Sequence, residues 1–256
     1  MPKEILKLVD ATVIVNPGTS EEKMILDHVN FRLAEGEFVT VLGSNGAGKS
    51  TLFNVIAGSL MLTSGQILVD GKDVTHLSET QRTAFLARVF QDPKVGTAPR
   101  MTVAENLLLA ERRGQRRRLR NRGLTEEKKA EFAKVADTMG NGLATRLDMD
   151  TGDLSGGQRQ ALSFLMATRQ NPTLLLLDEH TAALDPKTSA QLMQATDQRI
   201  QADGLTALMI THNLEDSLKY GNRLLIMSAG KIDVDVTGDE KMHLTIPELL
   251  EHFNRY

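Results

Sequence analysis

Phe38-Val39-Thr40-Val41-Leu42-Gly43-Ser44-Asn45-Gly46-Ala47-Gly48-Lys49-Ser50-Thr51 passes from an apolar, β-branched segment through a glycine-rich turn into the helically spaced sequence KSTLFNVIAGSL. Gly43 to Ser50 satisfy G-x-x-x-x-G-K-[ST], and the strand before and the helix after them are the context that gives the pattern its meaning. Glycines let the main chain wrap a phosphate with its N–H groups, and the helix start adds partial positive charge. Lys49 is expected to reach the β and γ phosphates of a nucleotide, and the Ser50 hydroxyl to ligate magnesium.

Upstream of this loop, ILKLVDATVIV and ILDHVNFRL read as strands, with Asn16-Pro17-Gly18-Thr19-Ser20 as a loop between them. The turn Ala34-Glu35-Gly36-Glu37 joins the second of them to FVTVLG. QILVDGKDV follows the first helix as a short strand and turn. Residues 93–155 then become helical in pattern, charged and punctuated by glycine, in MTVAENLLLAERR and LTEEKKAEFAKVADTMG, and read as an inserted helical subdomain. Beyond it come a helix from Ser155 to Arg169, the strand TLLLLDE, a helix from about Pro186 to Ala202, and the strands TALMITH and RLLIMSAG. Thr245 and Glu248 have capping-box spacing before a short helix, LLEHF. Apolar runs alternating with amphipathic helices imply a parallel sheet covered on both faces.

The chain has 256 residues, enough at ~150 per domain for one large domain or two small ones. Its 41% hydrophobic and 25% charged residues exclude a disordered or fibrous class. A net charge of -3 argues against binding nucleic acid through overall positive charge, and no nucleic-acid partner is expected. Without cysteine there are no disulfides, thiolate metal sites or cysteine nucleophile. No apolar run approaches the ~20 residues that span a bilayer, and MPKEILKLVD lacks the apolar core of a signal peptide. At a membrane, another chain is expected to supply the span.

TLLLLDEH carries a second chemical signal, because an apolar strand delivers Asp178 and Glu179 to its carboxyl end, where ligands bind in open α/β sheets. Asp178 suits magnesium coordination and Glu179 suits polarising a water for in-line attack on a γ-phosphate. Taken alone, the pair fits a solvated acidic turn equally well. Leu154-Ser155-Gly156-Gly157-Gln158 opens a helix and forms a second anion-binding N-terminus in the same chain. One nucleotide rarely needs two such cradles from one subunit.

These residues together resemble the ATP-binding cassette family, in which LSGGQ is the signature motif and completes the ATP site of the opposite subunit. The resemblance covers nearly the whole chain: the phosphate loop from Gly43 to Thr51, Gln91 in VFQDP, the signature, the Asp178-Glu179 pair, Ala183-Leu184-Asp185 as the D-loop, and His212 in ITHN. It implies an α/β P-loop NTPase (RecA-like) core over residues 1–92 and 156–256, with an N-terminal antiparallel β subdomain and the helical insertion at 93–155. By the same resemblance Gln91 contacts magnesium and the attacking water, and His212 holds the γ-phosphate and orients Glu179. Asp185 reads equally as the N-cap before Pro186.

Three positions depart from the family pattern. The aromatic residue that usually stacks on adenine falls near Val15, and no aromatic occurs from Met1 to Asn30, which puts base selectivity in question. His180 replaces the usual proline and Ala182 a common serine. His180, beside two carboxylates, is placed to titrate near neutral pH, and its simpler reading is a spacer. The basic run from Arg112 to Arg122 reads first as a solvated face, then as a contact to anionic lipid headgroups worth ~1 kcal/mol per residue. RNA ranks last, for want of interleaved aromatics.

The resemblance therefore implies an ATPase subunit that uses ATP and Mg2+ and works as a homodimer closing on two ATP molecules. It would sit at the cytoplasmic face of the membrane on a transmembrane permease, docked around Gln91 to Met101. An importer of an amino acid or similar small solute, working with an extracytoplasmic solute-binding protein, is the first expectation. An export or lipoprotein-release ATPase and a soluble mechanical ATPase are the alternatives, while LSGGQ counts against a nucleotide kinase or GTPase.

Overall fold

The computed structural model describes residues 3–113 and 123–254. In chain order the elements are β1 (Glu4–Val15), β2 (Lys23–Ala34), β3 (Phe38–Gly43), α1 (Lys49–Ala57), β4 (Ser64–Val69), β5 (Lys72–Asp73), α2 (Glu79–Arg82), β6 (Leu86–Val89), α3 (Val103–Glu111) and α4 (Glu126–Asp137). Two 3-10 turns, at Leu143–Arg146 and Thr151–Asp153, lead into α5 (Gly156–Thr168) and β7 (Leu174–Asp178). The chain continues with α6 (Pro186–Asp203), β8 (Ala207–Ile210), α7 (Leu214–Lys219), β9 (Arg223–Ser228), β10 (Lys231–Thr237), α8 (Gly238–His243) and α9 (Ile246–Asn254).

Two sheets result. A four-stranded antiparallel sheet has the order β2-β1-β4-β5, and a six-stranded sheet the order β10-β9-β3-β8-β7-β6. In the larger sheet every pairing is parallel except β9 with β10. The Ala34–Glu37 turn therefore joins strands of different sheets, and it is where the chain leaves one layer for the other. RLLIMSAG is the last strand expected from the sequence, whereas the structure adds the edge strand β10, whose alternation of exposed and covered residues leaves only Val236 buried.

Period-two alternation along β7 and β8 divides their residues between two cores, and a third, smaller core holds Leu42, Leu224, Ile226, Val236 and Leu249. Leu174, Leu176, Leu208 and Ile210 face the antiparallel sheet and α1, whose Leu52, Phe53, Val55 and Ile56 fill that side. Leu175, Leu177, Ala207 and Met209 face the opposite way, onto Leu107, Phe132, Leu162 and Phe164 of α3, α4 and α5. Each fully buried side chain of this size contributes roughly 1.5–3 kcal/mol. The stretch 93–155 adds α3, α4 and the first 3-10 turn to the second core, with an isolated bridge between Thr102 and Asp150. Residues 114–122 of the basic run lie outside the described residues; Arg112 and Arg113 follow the end of α3. Among the described residues no helix is long and apolar enough to cross a membrane.

Candidate functional site

Strands β3, β8, β7 and β6 lie side by side and parallel, so their carboxyl ends share one edge. Gly43 ends β3 and Asp178 ends β7, while His212 and Gln91 follow closely on β8 and β6. Residues distant in sequence thus converge where open α/β sheets bind ligands.

Lys49 sits inside the glycine-rich loop, 6% exposed, and its Nζ donates to the carbonyls of Gly43 at 2.7 Å and Ser44 at 3.0 Å. Burial pushes its pKa down, and the carboxylates of Glu179 and Asp178 oppose that shift. Gly48 has φ +101°, and a Cβ there would lie 2.9 Å from the Ile25 carbonyl, so β2 backs the loop at a position only glycine can fill. Beside Ile25, Gly230, after β9, donates its N–H to the Ala47 carbonyl at 3.1 Å. Ser44, Asn45, Gly46 and Ser50 remain exposed, and Thr51 is half-buried. Helix α1 begins without a side-chain cap or an acidic residue in its first turn, whereas α2, α3 and α5 each open on a capping box. Its first N–H groups are left for an anion.

Glu179 holds φ +46°, a left-handed conformation rare outside glycine, while its N–H bonds the Ile210 carbonyl at 3.1 Å. Its Oε1 lies 2.6 Å from His212 Nε2. The Asp178 Oδ2 accepts a bond from Arg88 Nη2 at 2.6 Å. Among the described residues no group of three or more His, Asp or Glu side chains could hold a metal by itself. What is present, two adjacent carboxylates and the Ser50 hydroxyl, is an oxygen donor set that suits Mg2+, which binds through one or two carboxylates together with substrate phosphates.

His180 departs from the expectation of a group titrating near neutral pH. It is 2% exposed, stacked on Phe164 with ring centroids 6.5 Å apart, and 3.3 Å from the Thr196 hydroxyl. Burial pushes its pKa down to about 4, so the imidazole is a neutral part of the helical core rather than a group titrating near neutrality beside the carboxylates.

Ser155 caps α5, with its hydroxyl accepting from the Gln158 N–H and Gln158 Oε1 accepting from the Ser155 N–H, both at 3.3 Å. Gln158 Nε2 also donates to the Asn141 carbonyl at 3.1 Å. A Cβ on Gly157 would come 2.3 Å from Thr188 Cγ2, so the signature packs closely against the Thr188 side chain of α6. Ser155 and Gly156 stay exposed there, beside Leu184 of the D-loop. Asp185 does cap α6, accepting the Thr188 N–H at 3.1 Å, and hydrogen bonds from Thr188 hold its carboxyl below the usual range. Gln91 is exposed, and the carbonyl of neighbouring Phe90 accepts a bond from Gln160 of α5 at 2.9 Å. Val15, half-buried, pairs with Lys23 at the end of β1. Sequence reasoning missed Arg88 and Gly230; the signal for the first was a cation between the buried apolar residues Ala87 and Val89.

A family model described as ABC transporter matches residues 26–182, more than half of the chain. The chain belongs to the ABC transporter family. The cassette is 44% identical over 233 residues to the tyrosine transport ATP-binding protein of Clostridioides difficile, covering 91% of this chain and 92% of that protein. It is 30% identical to an energy-coupling factor transporter ATP-binding protein of Clostridium perfringens, covering 95% and 87% of the two chains. Among solved structures, the ADP conformation of an ATP-binding cassette of an ABC transporter superposes with a TM-score of 0.78 at 29% identity, over 99% of each chain. A dimeric post-hydrolysis cassette bound to ADP and Pi superposes at 0.75 with 27% identity, over 91% of this chain and 98% of that one. As an ABC ATP-binding subunit, the protein is an ATPase coupled to transport, and cassettes of this family form dimers and work with transmembrane components.

Proposed function

We propose that the cassette powers import of an amino acid or similar small solute through a partner permease, at the cytoplasmic face of the membrane and together with an extracytoplasmic solute-binding protein. The observation that carries this reading is the 44% identity, over nearly the full length of both chains, to a tyrosine transport ATP-binding protein. In this reading two copies close on two ATP molecules. Gly43 to Thr51 wrap the phosphates of one copy's nucleotide, while Ser155 to Gln158 and Asp185 face the nucleotide of the other. Residues 93–155 form the helical subdomain that receives the permease near Gln91.

Lys49 supplies the cation at the β and γ phosphates, and Ser50, Gln91 and Asp178 would hold Mg2+, which offsets phosphate charge when bound. Glu179 takes the proton of the attacking water as its oxygen bonds to the γ-phosphorus and the bond to ADP breaks. His212 orients Glu179, a role supported by their 2.6 Å contact. Uptake of labelled tyrosine and other amino acids, compared between cells carrying the native chain and Lys49→Ala, tests the reading. Uptake of one of them is expected to be lost in the variant. Full amino-acid uptake without Lys49 would contradict it.

A further inference from the structure

We propose that Arg88 is a positioning residue of the nucleotide site, whose guanidinium neutralises Asp178 while no divalent ion is bound and pins that carboxylate between α1 and the strand leading to Gln91. Arg88 lies on β6 between Ala87 and Val89, both at most 2% exposed, and pairs in register with Leu176 of β7. A cation placed there must find partners, because an unpaired buried charge is costly. Its two Nη groups take different ones: Nη2 donates to Asp178 Oδ2 at 2.6 Å and Nη1 to Asn54 Oδ1 at 2.9 Å. The side chains of Arg88 and Asp178 are only 12% and 15% exposed. The guanidinium also lies 4.9 Å from the centroid of the Phe90 ring, next to Gln91. Lysine would keep the charge that offsets Asp178 but not this planar, forked connection.

Three parts of the site therefore meet on one side chain. Asn54 belongs to α1, whose first turn carries Lys49, Ser50 and Thr51. Asp178 is the carboxylate assigned above to the metal, and Phe90 leads into Gln91. Without a divalent ion, the negative charge of Asp178 opposes the triphosphate, and Arg88 offsets it. With the ion bound, the metal supplies that counter-charge. Arg88 should then matter most to nucleotide binding in the absence of metal, a signature that loss of packing alone does not produce.

The inference rests on the nucleotide-site reading, and the test separates the two. Dissociation constants for a non-hydrolysable ATP analogue are measured by calorimetry in excess EDTA and in excess Mg2+, and their ratio is compared among variants. If the native chain shows no gain from Mg2+, the site reading itself fails. If it does, Arg88→Gln is expected to raise the ratio at least tenfold through weaker metal-free binding, and Arg88→Lys to hold it within threefold of native. An unchanged ratio in Arg88→Gln, or equal weakening under both conditions, overturns the inference. Asp178→Asn provides an independent arm should Arg88→Gln not fold: metal-free binding should tighten at least tenfold, and adding Arg88→Gln should abolish that gain. Metal-free affinity indifferent to Arg88 in the Asp178→Asn background overturns it equally.

Discussion

Glu179 shows how the site is assembled one residue at a time. Its left-handed backbone turns the chain out of β7, so that Asp178 and Glu179 can point into the same edge while His180 turns back into the helical core. The unbroken apolar run of TLLLLDEH, ending in Asp178 and Glu179, announces the two carboxylates. The neutral, stacked state of His180 was not legible, because Phe164 and Thr196 come from α5 and α6. Val15 carries a prediction at this scale. Stacking of a base on an aromatic ring is worth ~1–3 kcal/mol, and Val15 offers only aliphatic contact. Val15→Tyr is expected to tighten ATP binding by about tenfold, the change equivalent to ~1.4 kcal/mol. Unchanged affinity in a titration would mean that the base rests elsewhere.

At the scale of elements, the two ends of α1 are treated differently. Its start is left open for phosphate, while its end is closed by Arg82, which is fully buried and donates Nη1 to the Val55 and Ile56 carbonyls at 2.6 and 2.8 Å. The same side chain bonds the carbonyls of Thr75 and Leu77, both at 3.0 Å. In the sequence, nothing local marks Arg82 as the cap of a helix already passed. Arg82→Met leaves these carbonyls without their donor and is expected to cost about 3 kcal/mol or more, read from the urea midpoint. A loss below about 0.5 kcal/mol, the range of ordinary surface changes, would contradict that role.

Lys241 of α8 closes the end of α7 in a similar way, its buried Nζ donating to the carbonyls of Tyr220 and Gly221. Burial pushes its pKa down from 10.5 to about 8. Between these values the unfolded chain binds more protons than the folded one, so Lys241 makes stability rise with pH from about 8 to about 10.5. The gain is on the order of 3 kcal/mol. Lys241→Met should lose this rise when melting is followed across that range. An identical pH slope in the variant would show that Lys241 is not the group responsible.

For the whole molecule, the phosphate loop, the acidic pair and the signature were legible because each is a short run set on a strand or a helix start. Less legible were the contacts closing the site from afar: Ile25 behind Gly48, Gly230 against Ala47, and Arg88 on Asp178. The turn at Ala34–Glu37 was readable as a turn but not as a crossing between sheets, since its flanking strands have the same apolar pattern.

The central proposal is that each cassette brings a phosphate loop to its own nucleotide and a signature to its partner's. Glu179→Gln keeps the size of the side chain but removes the base, so ATP binding should survive and hydrolysis fall by ~100-fold or more. The ATP-loaded closed pair would then accumulate. On a sizing column with ATP, Glu179→Gln is expected to run as a dimer, and Glu179→Gln with Ser155→Arg as a monomer that still binds ATP. A double variant that dimerises as well as Glu179→Gln alone would contradict the assignment of the signature to the opposite subunit.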